Sequence, residues 1–151
     1  MKNNPWKLLV LLRWIVGLIF IVSGSEKLLS PVGNFIYVIE SYQLIPFPMV
    51  VKLIAYTFPW VELFVGLFML LGLWTRPALL MVAAVSSGFI CFVGQALIRQ
   101  LPLVDCGCFG DLAHFPIWVT FVLDWFLLIS AGLLYWKIEF AKALSLDRLF
   151  D

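Results

Sequence analysis

The sequence predicts an all-α integral membrane protein, a four-helix bundle forming a single domain over residues 1–151, with both termini cytoplasmic. Apolar residues make up 64% of the 151 positions and charged residues 13%, a balance foreign to soluble domains. Four apolar stretches, 8–29, 50–74, 77–98 and 117–136, each approach or exceed the roughly 20 residues that a helix needs to cross about 30 Å of hydrocarbon. Outside them the chain shows no internal repeat, low-complexity segment or second domain.

The first span, Leu8 to Leu29, is full length, contains Arg13 and lacks a small-residue cleavage site, so it reads as retained rather than as a signal peptide. After it, Ser30 to Met49 mixes Tyr37 and Tyr42 with Pro46-Phe47-Pro48, a composition that suits an interfacial segment capping the bundle. The second span runs from Val50 to Trp74 and the third from Pro77 to Ile98. Their connection is short, which makes them antiparallel neighbours, with Pro77 at a helix start. A loop, 99–116, precedes the fourth span, Ile117 to Trp136, and the charged and apolar tail beyond it is expected to lie along the interface.

Lys and Arg counting sets the orientation. Four spans put Lys2, Lys7, Arg13, Arg76, Lys137, Lys142 and Arg148 on one side, against Lys27, Lys52 and Arg99 on the other. The positive-inside rule then places the termini in the cytoplasm and the 99–116 loop outside, facing the periplasm or cell exterior of a bacterium. Net charge is +1 and there is no basic run, which excludes a nucleic-acid platform.

Ionisable residues inside spans are costly and each requires a reason. Arg13 lies near the inner end and is expected to snorkel to the headgroups. Glu26 and Lys27 lie at the outer end of the first span, where an interfacial role suffices for Glu26. Glu62 and Asp124 are too deep for short side chains to reach water, so a polar contact or a function is expected of both. Helical side chains lean toward their own N-terminus, so Lys27 leans inward and Glu62 outward. They approach one another across a distance expected to be long, with Asp124 the shallower partner.

Periodicity adds three stripes. Arg13, Gly17, Phe20, Gly24 and Lys27 share a face whose glycines permit close helix approach. Pro59, Glu62 and Gly66 share another, with Pro59 placed to kink the helix. Ser87, Cys91 and Gln95 form a polar stripe on the third span. Together they suggest a polar cavity below the 99–116 loop, with helix-packing contacts as the simpler explanation. Cys91 itself suits either a packing residue or a third redox thiol.

The most reactive chemistry is Cys106-Gly107-Cys108. In an extended chain the two Cα atoms would be about 7 Å apart, at the limit for a disulfide, so the backbone must bend at Gly107. A ring so small is strained, and strained, exposed disulfides are the labile, oxidising ones. It also removes little unfolded-chain entropy, which argues against a structural staple. Outside the cytoplasm such a disulfide persists. His114, Asp105 and Asp111 could join the sulfurs around a metal, yet the spacing matches no common zinc site, and only a soft ion such as Cu(I) remains an alternative. Asp105 and Asp111 oppose thiolate formation while Arg99 favours it, leaving the attacking sulfur open.

Arg13, Gly17, Ser23-Gly24, Lys27-Leu28 and Pro31, followed by Glu62, Gly66, Leu71-Gly72-Leu73 and Arg76, resemble the pattern of DoxX-like four-helix membrane proteins. The Cys106-Gly107-Cys108-Phe109-Gly110 segment is similar to the mark of the MauE branch, the methylamine-utilisation membrane proteins. That resemblance implies a bacterial cytoplasmic-membrane protein serving the maturation of exported, disulfide-containing proteins, with the methylamine dehydrogenase small subunit as the family example. It also implies a periplasmic thioredoxin-like partner and, through the DoxX group, a quinone as the cofactor to expect.

Carried to this chain, the resemblance makes Cys106 and Cys108 the redox pair of a thiol-disulfide oxidoreductase. Lys27 and Glu62 are family-pattern positions; Gly107, Asp124 and Cys91 are supporting positions by the reading of the residues themselves, Asp124 standing where the family pattern leads one to expect a polar or basic residue. The competing classes are a non-catalytic scaffold or maturation factor whose cysteines brace the loop, and a soft-metal-binding or transport protein.

Overall fold

The computed structural model describes residues 5–99 and 116–141. Among them the chain is all helical, without a strand, in the order α1 (Pro5–Leu29), α2 (Val32–Ser41), α3 (Pro48–Leu71), α4 (Thr75–Ile98), α5 (Ile117–Trp136) and α6 (Ile138–Ala141). Four are long and apolar enough to cross a membrane, with apolar lengths of 24, 24, 24 and 20 residues in α1, α3, α4 and α5. At 1.5 Å per residue even the shortest reaches about 30 Å. The four-helix expectation therefore holds, with revised ends.

Those revisions have local causes. The second span stops at Leu71 rather than Trp74 because Gly72 takes the left-handed conformation, φ 64°, and the Leu73 N–H donates back to the Phe68 carbonyl at 3.0 Å. The third starts at Thr75, which leaves Pro77 in the first helical turn, where no intrahelical N–H bond is lost. Between the first and second spans lies a helix, α2, whose Ile39 packs with Val51 and Ala55 of α3. It forms the cap expected of that segment. Ile138 of α6 is buried against the main core beside Leu134. Residues 142–151 lie outside the described residues.

The bundle is assembled as two tight pairs, α1 with α3 and α4 with α5. Helices α3 and α4 share a short turn and contact each other less, so α3 packs mainly on α1 rather than on the helix that follows it. Glycine explains the first pair. A Cβ on Gly24 would sit 2.8 Å from the Leu63 nitrogen and 2.9 Å from the Pro59 carbonyl oxygen, and one on Gly66 would sit 2.8 Å from the Gly17 oxygen. Backbones this close gain dispersion and exclude lipid between them. Gly24→Val is therefore expected to destabilise the protein by about 3 kcal/mol through overpacking. Gly88→Ala, at a position with open space around it, should be tolerated, and thermal unfolding of both variants in detergent checks the contrast.

Candidate polar centre between the spans

Close α1–α3 packing fixes the polar centre. Ser23 and Lys27 lie one turn apart on α1, and Glu62 faces them from α3. The Lys27 Nζ donates to Ser23 Oγ at 2.6 Å and to Glu62 Oε2 at 2.8 Å. Both charged side chains are almost wholly covered, at 1% and 4% exposure. Ser23 Oγ stands 3.4 and 3.5 Å from the two Glu62 carboxylate oxygens, at the outer limit of a hydrogen bond. The pairing expected to be long is thus a direct, hydrogen-bonded ion pair.

Two aromatic rings complete the surroundings of Lys27. Its ammonium lies 5.6 Å from the ring centre of Phe35 on α2 and 5.9 Å from that of Phe89 on α4, within range of the ring quadrupoles. One side chain of α1 thereby engages α2, α3 and α4. Phe58 of α3 links the same rings, packing against Phe35 and edge-on to Phe89 at 5.6 Å.

Below the ion pair all four spans line a partly open cavity of about 30 Å³, bordered by Phe20, Ser23, Glu62, Ser86, Phe89 and Asp124 among others. That space accommodates one or two water molecules. Asp124, buried at 5% exposure, borders the same cavity as Glu62.

Several sequence expectations are corrected by burial. Ser87 and Cys91 face outward, away from the cavity, and the inward face of α4 runs one residue earlier, through Val82, Ser86, Val93 and Ala96. Gln95 is partly buried and, with its amide oxygen turned to Arg99, accepts from Nε at 2.8 Å and Nη1 at 2.9 Å. Arg13 is fully covered by protein rather than snorkelling, and Glu26 is buried at 4% exposure, accepting from Ser30 Oγ at 2.8 Å. Ser86 was absent from the sequence-predicted site. Its only signal is a hydroxyl on the α4 face one residue round from the Ser87 stripe.

Cys106, Gly107 and Cys108, with Asp105, Asp111 and His114, lie outside the described residues. Helix α4 ends at Ile98 and α5 begins at Ile117. Both termini lie at the end of the bundle that carries Lys27 and α2, where Tyr42 meets Phe92 at 6.0 Å between ring centres.

No curated protein and no solved structure matches this chain. A family model described as methylamine utilisation protein MauE matches residues 5–137, from the start of α1 to the end of α5, including the two-cysteine segment. With four membrane-length helices and that match over most of its length, the chain belongs to the MauE family and is a multi-pass membrane protein.

Proposed function

We propose that this protein is a membrane thiol-disulfide redox protein that supports disulfide formation or maturation of exported proteins, within methylamine utilisation or a related pathway. Cys106 and Cys108 are its redox pair. The observation that carries the reading is their position: two thiols one glycine apart, inside the family-matched region, on the connection between α4 and α5 at the Lys27 end of the bundle. The distribution of Lys and Arg supports an outward-facing loop in the bacterial inner membrane, with cytoplasmic termini. Kinship with the wider DoxX-like group is part of the same proposal.

The chemistry is exchange with a periplasmic thioredoxin-like protein, which in turn serves a cysteine-containing exported substrate. A thiolate of one partner attacks a disulfide sulfur of the other. One S–S bond forms as another breaks, giving a mixed disulfide and a released thiolate. The second thiol of the attacking pair loses its proton and resolves the mixed disulfide, so one partner is oxidised as the other is reduced by two electrons. Gly107 allows the bend that closing the Cys106–Cys108 ring demands.

The buried centre supports this reading as a rigid base. Lys27 bonds across three other helices just within the end from which the thiol-bearing chain departs. Cys106→Ser and Cys108→Ser, expressed singly, are expected to trap a mixed disulfide with a thioredoxin-like protein in at least one case, visible as a reducible higher-mass species. Absence of such an adduct in both variants, with normal maturation of exported disulfide proteins, would favour a scaffold over a redox role.

A further inference from the structure

We infer that the cavity between the four spans is a hydrated proton-transfer site, in which one or two water molecules held by Ser86 join the carboxyl groups of Glu62 and Asp124. Three features place it there. The cavity is about 30 Å³, large enough for water. Two carboxyl side chains from different helices, α3 and α5, border it. Ser86, from a third helix, borders it too, is 1% exposed, and its Oγ has no hydrogen-bond partner among the described residues. A buried hydroxyl left dry costs about 1–3 kcal/mol, and water in the adjoining space removes that penalty.

Water fits the site better than a metal cation does. The Lys27 ammonium already lies 2.8 Å from Glu62 and 2.6 Å from Ser23, so a second positive charge would meet repulsion as well as lose two oxygen ligands. The charged groups that bear on the cavity are Lys27 from α1, Glu62 from α3 and Asp124 from α5. Helix α4 contributes Ser86 and Phe89, neither of which titrates in the ordinary range. Farther along α1, Glu26 is engaged by Ser30.

The transfer balances without a further reactant. A carboxyl O–H bond on one residue breaks as its proton bonds to the water. One of the water's own O–H bonds then breaks as that proton bonds to the other carboxylate. The water is regenerated and the net charge of the cavity is unchanged. In a thiol redox protein such a site delivers or removes the protons that accompany electrons.

Infrared difference spectra of the purified full-length protein in lipid, recorded as acid is perfused over it, test the inference. The wild type is expected to show protonated-carboxyl bands that shift in heavy water, with separate components lost in Glu62→Gln and Asp124→Asn. Ser86→Val fills the cavity and removes the hydroxyl. It is expected to slow the appearance of those bands by about tenfold and to lower Tm by about 4 °C. Ser86→Ala, which subtracts the hydroxyl without adding volume, should also slow them. Identical rates in all three proteins would overturn the transfer path. A raised Tm in Ser86→Val would show a dry cavity that gains from filling, and would overturn the hydrated site.

Discussion

Lys27→Met is expected to destabilise the protein by about 3–5 kcal/mol, because it leaves the Glu62 carboxylate buried without its charge partner. The ion pair is 2.8 Å long and both side chains are nearly inaccessible, so neither can reach water or headgroups by a rotamer change. Removal of the ammonium also strips Ser23 of its 2.6 Å donor and the Phe35 and Phe89 rings of their cation. Glu62→Met should be damaging for the mirror-image reason. The double variant Lys27→Met/Glu62→Met should be less damaged than the sum of the singles, since a buried pair replaced by apolar side chains is often close to neutral. Unfolding of the four proteins in mixed micelles measures the coupling. Additive single effects would show that the pair makes no energetic contribution of its own.

Replacing both Cys106 and Cys108 with serine is expected to reduce maturation of exported disulfide proteins to the level of cells without the protein. Thiolate attack and disulfide formation need sulfur, and serine supplies neither. The protein itself should remain folded, because the buried Lys27–Glu62 centre and the α1–α3 glycine contacts do not involve those positions. Loss of function with retained Tm therefore separates a redox role from a structural one. Alkylation of the reduced thiols in the wild-type protein should reproduce the loss.

The spans were legible in the sequence because hydrocarbon imposes a length, and their ends moved by only a few residues where Gly72 and Pro77 set the turn. Lys27, Glu62 and Asp124 stood out for a related reason: charged groups are costly in lipid, and their presence there marks a buried contact. Which way each helix faces was harder to read. In a soluble protein the polar face of a helix is the outer one, but in a membrane the lipid face and the core face are equally apolar. A stripe of small and hydroxyl residues then carries little directional information, which is why Ser87 and Cys91 pointed to the cavity while Ser86 actually borders it.

Arg13 shows the same limit from the other side. A long side chain near a helix end has a route to the headgroups, yet the guanidinium is wholly covered by neighbouring helices. Distance from the span end could not reveal that α6 folds back to contact α1. The Lys27–Glu62 contact was underestimated because backbone separation depends on Gly17, Gly24 and Gly66 acting together. Two glycines on α1 and one on α3 bring the backbones closer than generic helix packing allows.

The redox state of Cys106 and Cys108 in intact cells, read by rapid acid quenching and mass-tagging of free thiols, tests the central proposal most directly. The redox account predicts a mixture of dithiol and disulfide that shifts when the thioredoxin-like partner is removed. A pair that stays in one state with and without that partner, while exported proteins mature normally, would contradict it.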